Sequence, residues 1–370
     1  MAAKKIRIGI IGLGFGAEFI PIYQNHPDAE LIAVCRRDPA KLQAIGEAFG
    51  VSRRYTDWRE LIRDPELDAV HINSPIPDHA IMSLAALEAG KHCACTVPMA
   101  TNLHALNVLC QAQRAAQKRY MMMETVLYSR EFFFVRDLLE SGEMGRLQFL
   151  RGSHQQEMAG WPGYWEGLPP MHYATHCVSP LPALAGTLAE SVVCHGSGRI
   201  DTHLAVNYGS PFAVETATLR LKDSDVAAEV TRSLFNTARQ YRESFDVYAS
   251  KVSWEWALVE EESCLLHYGE EPRRVQVPDY AERLPEGIRP YTTKGVYDSA
   301  ENVHLSFKQG SGHGGSHPHL AHEFIAAIRD DRDPFPNAVQ SANYTAAGIC
   351  AHESALRGGE RVFLPNFSED

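Results

Sequence analysis

The sequence predicts a parallel α/β domain at the N-terminus, followed by an α+β domain with an open, mostly antiparallel sheet. The first half alternates short apolar strands with helical segments, and its first strand is followed by a glycine-rich turn. The second half contains runs in which apolar and polar residues alternate. A chain of 370 residues is also longer than one ordinary hydrophobic core requires. We therefore place the α/β domain at 1–124 and the α+β domain at 125–370.

The glycine-rich turn is the most specific motif in the first half. The run from Ile6 to Ile11 is typical of a buried strand, and Gly12-Leu13-Gly14-Phe15-Gly16-Ala17 follows at once. In this G-x-G-x-x-A pattern the first glycine permits a tight turn and the second lets the backbone approach a pyrophosphate. The small last residue lets the next helix pack close to the strand. The motif therefore predicts a Rossmann nucleotide site with the phosphates at a helix N-terminus.

The residues after the second predicted strand, 31–35, bear on which nucleotide is bound. Enzymes that use NAD place an acid here for the ribose hydroxyls, whereas this chain has Arg36 and Arg37, and Asp38 comes later. An arginine at this position can pair with a 2′-phosphate. We expect the cofactor to be NAD or NADP, and Arg36 favours NADP.

The later strands of the first half are followed by residues that a Rossmann fold brings to its ligand. We predict strands at 68–73, 91–95 and 120–124, and a helix at 79–89 that stops at Gly90. Ligands of such sheets bind at the carboxyl ends of the strands. The further candidate cofactor-binding residues are Ser74, Pro75, His79, Val97, Pro98 and Glu124.

The second half shows the alternation expected of half-buried antiparallel strands. The predicted elements are helices at 130–139, 319–329 and 340–356 and strands at 146–153, 216–221, 245–248 and 252–256. The helices are expected to brace one face of the sheet. The other face stays free to meet a partner, so we expect a homo-oligomer that forms through this sheet.

The segment between the first two strands of that sheet is rich in aromatic, histidine and acidic residues. Aromatic faces cover the C–H faces of sugar rings, and polar groups bind the hydroxyls. His172 and His176 are four residues apart, so on a helix they would share a face and at least one would stay neutral. A neutral imidazole can take a proton from a hydroxyl, and we expect His176 as this base with His172 as its partner. The candidate substrate-binding residues are Tyr128, His154, Glu157, Trp161, Trp165, His313 and His317.

Two other interpretations of this segment stay open. Trp161 and Trp165 can be ordinary packing residues. His172 and His176 with either His154 or Glu157 can complete a metal shell, although we assign no metal.

Taken together, the motifs resemble the Gfo/Idh/MocA oxidoreductase family. The resemblance is carried by the turn from Gly12 to Ala17, Ser74-Pro75 with His79, the run 87–92 and the segment that ends in Pro98. It implies a Rossmann domain joined to an open antiparallel sheet domain. It also implies NAD(P)-dependent oxidation or reduction of sugars, inositols or related polyols. Within the family, the chain is similar in character to glycoside 3-dehydrogenases, which oxidise the C3 hydroxyl of a glucoside.

The chain departs from the family pattern at its acid/base residues. Where the family has Glu-Lys-Pro, this chain has Thr96-Val97-Pro98, and valine cannot assist proton transfer as the lysine does. Where the family has Asp, His and Asp at fixed spacing, it has His172, His176 and Ser179. Three functions therefore stay open. They are a sugar, glycoside or polyol dehydrogenase, a redox-neutral glycoside lyase or glycosidase with tightly bound NAD, and a non-catalytic sensor of the same fold.

Composition and charge argue against several classes of partner. The net charge of −11 disfavours nucleic acid, and no apolar run reaches the roughly 20 residues that a bilayer span needs. The eight cysteines lack the spacing of a disulfide framework or a zinc site, and Met1–Lys5 lacks the apolar segment of a signal peptide. We therefore expect a cytoplasmic protein with a small-molecule substrate and neither a nucleic-acid nor a membrane partner.

Overall fold

The computed structural model describes residues 4–239, 241–259, 262–293 and 313–368, and the chain divides into two compact units. The first unit contains the described residues up to Thr125, those within Asp279–Ala342, and those from Phe367 onward. The second unit contains Val126–Pro278 and Asn343–Asn366.

The division predicted at 124/125 differs from this clustering, in which the described residues of 279–342 group with the first unit. The reason is a contact between residues that are far apart in sequence. The ring of His317 packs 5.0 Å from the ring of Phe19, and Nδ1 of His322 lies 2.9 Å from Nε2 of His26. Local sequence patterns do not reveal such contacts.

The first unit is built on a six-stranded, all-parallel sheet in the order β3-β2-β1-β4-β5-β6. The strands are β1 (Ile6–Ile11), β2 (Ala29–Cys35), β3 (Arg53–Tyr55), β4 (Ala69–Ile72), β5 (His92–Thr96) and β6 (Tyr120–Met123). The strand order reverses between β1 and β4, and ligands of open α/β sheets bind at the carboxyl ends of the strands at such a point. The predicted Rossmann fold is confirmed, and β3 is the strand that the sequence did not reveal.

The second unit is built on a nine-stranded sheet in the order β14-β13-β12-β11-β7-β10-β9-β8-β15. The strands are β7 (Leu147–Gln155), β8 (Ala189–Ser197), β9 (Val214–Leu221), β10 (Ala227–Ser233), β11 (Arg242–Ala249), β12 (Ser253–Glu255), β13 (Cys264–His267), β14 (Arg273–Val275) and β15 (Val362–Phe363). The pair β7–β10 is parallel and the other pairs are antiparallel. The expected open, mostly antiparallel sheet is therefore confirmed.

The described part of the chain also contains α-helices. They are Phe19–Asn25, Pro39–Ala48, Trp58–Arg63, His79–Glu88, Leu103–Ala116, Arg130–Glu140, Thr175–Val178, Pro180–Leu184, Thr202–Ala205, Ser316–Arg329 and Ala338–Leu356. Five of them begin at a side chain that accepts a hydrogen bond from a backbone N–H of the first turn, namely Asp38, Asp57, Asn102, Ser129 and Asn337. None of the helices described has the length and apolarity that crossing a bilayer would take. All eight cysteines are buried and free of disulfide bonds.

Candidate active site

The glycine-rich turn after β1 packs against the residue that follows β4. Gly12 has a φ of +87°, and a Cβ atom there would lie 2.3 Å from the carbonyl oxygen of Asn73. A Cβ atom at Gly16 would lie 2.9 Å from Cγ of Asn73. Gly14 is exposed between them, and Ala17 is buried. The turn is thus fixed by close packing while its backbone stays open to a phosphate.

Asn73 and Ser74 carry buried polar atoms that lack a hydrogen-bond partner among the described residues. These atoms are the amide nitrogen and oxygen of Asn73 and the hydroxyl of Ser74. A buried polar group without a partner costs about 1–3 kcal/mol, so a ligand that offers donors and acceptors would remove that cost. These atoms and the glycine-rich turn fit the polar groups of a dinucleotide. Ser74 was predicted to bind the cofactor, whereas Asn73 was not. The signal that could have identified Asn73 is its position as a polar residue at the end of an apolar strand.

Arg36 lies beside the glycine-rich turn. Its Nη1 donates a hydrogen bond to the carbonyl oxygen of Leu13 at 3.2 Å, and Arg37 is exposed. The carboxylate of Asp38 accepts two hydrogen bonds from the first turn of helix 39–48. Asp38 therefore serves as a helix cap, and Arg36 is the charged side chain that the end of β2 presents to the turn.

His79 connects the loop after β4 to the loop after β5. Its Nδ1 lies 2.8 Å from the carbonyl oxygen of Pro98, and its Nε2 lies 2.8 Å from that of Ser74. Two carbonyl acceptors need two N–H donors, which only the imidazolium form has. Burial favours the neutral ring, but the neighbouring Cys95 and the two carbonyls outweigh it and raise the pKa of His79 to about 9. His79 is 1% exposed, so it fixes the two loops and does not present its ring to a ligand.

The other predicted cofactor residues of the loops are also buried or structural. Val97, at the position of the family lysine, is a buried apolar side chain. Pro75 precedes a short 3₁₀ helix (Ile76–Asp78) that leads into helix 79–88. Glu124 directly follows β6 and is fully buried.

Phe15 brings the glycine-rich turn against two histidines from late in the chain. Its ring centre lies 6.2 Å from that of His313 and 5.3 Å from that of His317. Nδ1 of His317 lies 3.6 Å from a carboxylate oxygen of Glu18, and Nδ1 of His313 lies 3.4 Å from the hydroxyl of Thr125. Burial lowers the pKa of His317 although Glu18 opposes it. Both histidines were predicted to bind substrate, and the structure places them in the first unit, against the nucleotide turn.

The second unit brings several ring side chains together around Tyr173. Nε2 of His176 lies 3.3 Å from the hydroxyl oxygen of Tyr173. The ring of His154, at the end of β7, lies 5.2 Å from that of His176, and the ring of Trp165 lies edge-on, 4.7 Å from Tyr173. The structure thus brings together three of the residues that the sequence singled out. Tyr173 joins them and was not predicted from the sequence. Its position between His172 and His176 was the available signal.

His172 and His176 lie in different short helices, so the single helical face expected to carry both is not formed. His172 lies in a 3₁₀ helix (Pro170–Tyr173), and His176 lies in the next short helix. The ring of His172 packs edge-on against His352 at 5.0 Å, and Nδ1 of His352 lies 2.6 Å from Oε1 of Glu215. Burial, with His352 adding to it, lowers the pKa of His172 to about 3. The break between the two helices turns the side chains toward different neighbours.

Arg232 is a fully buried guanidinium next to the Tyr173 cluster. It donates to the carbonyl oxygens of Tyr173 (2.8 Å), His154 (3.0 Å) and Ser233 (2.7 Å) and to the amide oxygen of Gln156 (3.0 Å). Burial lowers the pKa of Arg232 to about 10. All four acceptors are neutral, so within the described chain no carboxylate contacts this buried charge.

The remaining predicted substrate residues also lie in the second unit. Trp161 packs edge-on against Trp165 at 5.6 Å, and both are nearly buried. The indole N–H of Trp165 is buried and has no hydrogen-bond partner in the part of the chain that the structure describes. A carboxylate oxygen of Glu157 accepts a hydrogen bond from a backbone N–H two residues on. Tyr128 is buried against the ring of Phe133 at 5.9 Å.

Within residues 4–239, 241–259, 262–293 and 313–368, no group of three or more His, Cys, Asp or Glu side chains is arranged to hold a metal. In particular, the shell considered above needs His172 and His176 to converge. They contact different neighbours instead.

The N-terminal part of the chain matches a known family. Residues 6–124 match the Gfo/Idh/MocA family model, which is described as an oxidoreductase family with an NAD-binding Rossmann fold. Residues 6–124 are therefore similar to the NAD-binding domain of these oxidoreductases, and the resemblance seen in the sequence is confirmed.

Comparisons with individual proteins include partial sequence matches and a solved structure that shares the fold. The chain is 25% identical over 258 residues to a myo-inositol 2-dehydrogenase of Thermotoga maritima. The aligned residues are 66% of this chain and 73% of that protein. It is 28% identical over 199 residues to a glycosyl hydrolase family 109 protein of Shewanella amazonensis, which covers 48% and 44%. The chain spans less than half the length of the first curated relatives it matches. Scyllo-inositol dehydrogenase of Lactobacillus casei, solved with NAD(H) and scyllo-inositol, shares the fold with a TM-score of 0.72 at 18% identity over 99% of this chain and 100% of that one.

Proposed function

We propose that the protein is an NAD(P)-dependent oxidoreductase that transfers hydride between nicotinamide and a hydroxyl-bearing carbon of a sugar, glycoside or polyol. The observation that carries this proposal is the His176–Tyr173 contact of 3.3 Å beside the buried, unpartnered indole N–H of Trp165. A proton-transfer pair next to aromatic faces and a free donor suits a polyol. Glucoside C3 is the carbon that the subfamily resemblance favours.

The first unit would hold the dinucleotide. The backbone of the turn at Gly12, Gly14 and Gly16 suits a pyrophosphate, and Asn73 and Ser74 offer the polar atoms that lack partners among the described residues. When bound, the nicotinamide supplies the acceptor or donor of hydride. His313 and His317, placed against Phe15, would help to hold the turn.

NADP is the nucleotide that the end of β2 favours within this proposal. Arg36 lies beside the turn, and Asp38 is committed to capping helix 39–48. A guanidinium at this position can pair with a 2′-phosphate, whereas an acid would bind ribose hydroxyls. The family match supports NAD binding in general. The variant Arg36→Asp tests the preference for a 2′-phosphate.

The second unit would supply proton transfer and substrate binding. His176 would hold the proton that leaves the substrate hydroxyl, and the indole N–H of Trp165 would donate to another hydroxyl. Trp161 and Trp165 would cover apolar faces of the ring and exclude water. The names of the inositol dehydrogenases that share sequence or fold agree with a polyol substrate.

A second candidate is a redox-neutral reaction on a glycoside with NAD retained between turnovers. The name of the family 109 relative supports it, and so does Val97, which removes the lysine on which simple dehydrogenation would depend. A non-catalytic sensor fits less well, because it would not need the His176–Tyr173 pair.

We also propose that the free face of the nine-stranded sheet forms a homo-oligomer. In β9, Ala217, Leu219 and Leu221 are buried, whereas Thr218 and Arg220 between them are exposed. Light scattering of the purified protein would give the mass. A monomer at micromolar concentration would overturn this part of the proposal.

The first experiment measures reduced-nicotinamide absorbance with NAD or NADP and a panel of free sugars, glycosides and inositols. We expect a rise with one class of substrate. No rise, combined with release of nucleotide on denaturation, would favour the redox-neutral reaction, and an assay of aglycone release would then decide. If neither a rise in absorbance nor release of aglycone is observed, both the dehydrogenase and the redox-neutral reaction are contradicted.

A further inference from the structure

Tyr173 has a position that the sequence did not assign a role. We propose that Tyr173 takes the proton from the substrate hydroxyl and passes its own proton to His176, so that the pair replaces the lysine absent at Val97. This inference rests on the dehydrogenase function proposed above. It names a further catalytic residue for that reaction.

The phenol of Tyr173 lies within reach of His176 and belongs to the less buried of the two residues. The hydroxyl oxygen of Tyr173 lies 3.3 Å from Nε2 of His176, within hydrogen-bond reach. His176 is 3% exposed, whereas Tyr173 is half-buried. The relay therefore assigns the contact with the substrate hydroxyl to the less buried residue, Tyr173. Trp165, with its unpartnered N–H, packs against the same phenol ring at 4.7 Å.

The buried guanidinium of Arg232 supplies the charge that such a relay needs. Its carbon Cζ lies 5.4 Å from the centre of the Tyr173 ring, and its Nε donates to the Tyr173 carbonyl. Its four hydrogen bonds go to neutral oxygens, so its positive charge is not neutralised by a carboxylate contact among the described residues. An opposite charge nearby stabilises an anion in a site of low dielectric. Arg232 is thus a positioning residue that also favours the phenolate form.

Two other titratable groups near Tyr173 among the described residues, His154 and Tyr241, have contacts of their own. The ring of His154 lies 6.3 Å from that of Tyr173, and its backbone carbonyl holds Arg232. Tyr241 packs 5.2 Å from His154, but its hydroxyl donates to Glu243 at 2.6 Å. Burial and this carboxylate raise the pKa of Tyr241. Tyr241 therefore keeps its proton and is not assigned to the relay.

The relay balances as an alcohol oxidation. The C–H bond of the carbinol carbon breaks, and its hydrogen leaves with the electron pair to the oxidised nicotinamide dinucleotide. The O–H bond breaks and its proton goes to the oxygen of Tyr173, while the proton of Tyr173 goes to Nε2 of His176. A C=O bond forms, and one proton remains on His176 until solvent removes it.

The test combines a spectroscopic titration with kinetics. Tyrosinate absorbance is followed against pH in the wild type and in the variants Tyr173→Phe and Tyr268→Phe. Tyr268 is the control, since its phenol also lies on the second unit and donates a hydrogen bond to Glu143 at 3.3 Å. We expect one tyrosine of the wild type to ionise at least about one pH unit below the rest. That early step should vanish in Tyr173→Phe and persist in Tyr268→Phe. Arg232→Lys should keep it, and Arg232→Met should shift it upward if the protein folds.

Kinetics separates this inference from the proposed function. We expect Tyr173→Phe to lower kcat about 100-fold or more with little change in KM, whereas Tyr268→Phe retains wild-type turnover. An active wild type with equal turnover in Tyr173→Phe would overturn the relay and leave the dehydrogenase proposal standing. If no polyol is oxidised, the proposed function fails, and the titration alone tests the relay. The absence of an early tyrosinate step that depends on Tyr173 then overturns the relay.

Discussion

Glu215 and His352 form a buried pair in the second unit, with Oε1 of Glu215 2.6 Å from Nδ1 of His352. The other carboxylate oxygen of Glu215 accepts a hydrogen bond from the backbone N–H of Met171 at 2.8 Å. Glu215 is fully buried. One carboxylate therefore ties helix 338–356 to the segment that carries Tyr173, which links the stability of this unit to the geometry of its candidate site.

Replacing Glu215 by glutamine should destabilise the protein. The change removes the carboxylate from a buried contact with His352, and a buried polar group that loses its hydrogen-bond partner costs about 1–3 kcal/mol. Urea unfolding would measure the loss. The control is Glu229→Gln, which removes a partly exposed partner of Arg151 at 3.3 Å and should cost less than about 1 kcal/mol. Equal losses in the two variants would contradict the structural role of Glu215.

The sequence predicted the elements whose signals are local. The glycine-rich turn between an apolar strand and a helix predicted the Rossmann site, and period-two alternation predicted strands such as β9. It missed β3, because three residues with two arginines do not read as a strand. It also assigned 279–342 to the second domain, whereas the described residues of this range cluster with the first unit through packing between residues nearly 300 positions apart.

The candidate site was predicted in composition but not in pairing. His154, Trp165 and His176 converge, whereas His172 turns to His352 because a helix ends between the two histidines. Arg232 could have been found, since it shares the inward face of β10 with Ala228 and Val230. A charged residue at an inward position of a strand is a signal for a buried polar role.

Removing the imidazole of His176 should abolish most of the activity. If it holds the proton that leaves the substrate, His176→Ala should lower turnover at least about 100-fold. Nucleotide affinity should stay the same, because the dinucleotide site is assigned to residues of the first unit. The matched control is His203→Ala, which changes an exposed histidine of helix 202–205. Unchanged turnover in His176→Ala would remove this residue from the proposed reaction.

Reversing the charge at Arg36 should change the preferred nucleotide. Arg36→Asp removes a partner for a 2′-phosphate and supplies an acceptor for ribose hydroxyls. We expect the ratio of NADP to NAD affinity to fall at least about tenfold, which is about 1.4 kcal/mol. Calorimetric titration measures this without a substrate. Arg63→Asp makes the same change of charge on the exposed end of helix 58–63 and should leave the ratio unaltered.

Adding a methyl group at Gly12 should block nucleotide binding. In Gly12→Ala the new Cβ would lie 2.3 Å from the carbonyl oxygen of Asn73, so the turn must move. We expect affinity for either dinucleotide to fall more than about tenfold. Gly50→Ala is the control, since Gly50 also has a positive φ (+67°) but has no atom within 4 Å of its Cβ position. If both variants bind alike, the contact between turn and strand end is not what shapes the site.

The two carbonyl contacts of His79 make the stability of the first unit depend on pH. A histidine has a pKa near 6.5 in an unfolded chain, and that of His79 is about 9 in the folded protein. The folded state holds the extra proton between these values, so the stabilisation is complete below pH 6.5 and is lost as pH rises through about 9. The shift corresponds to about 3 kcal/mol.

The neutral variant His79→Gln isolates this contribution. We expect the difference in unfolding free energy between wild type and His79→Gln to be largest below pH 6.5. It should shrink steadily toward pH 9, where the imidazole of the wild type also becomes neutral. Denaturant unfolding at a series of pH values measures it, with exposed His203→Gln as the control that should show no such trend. A difference that stays constant across this range would mean that His79 is neutral in the folded protein. One of its two 2.8 Å carbonyl contacts would then lack a donor.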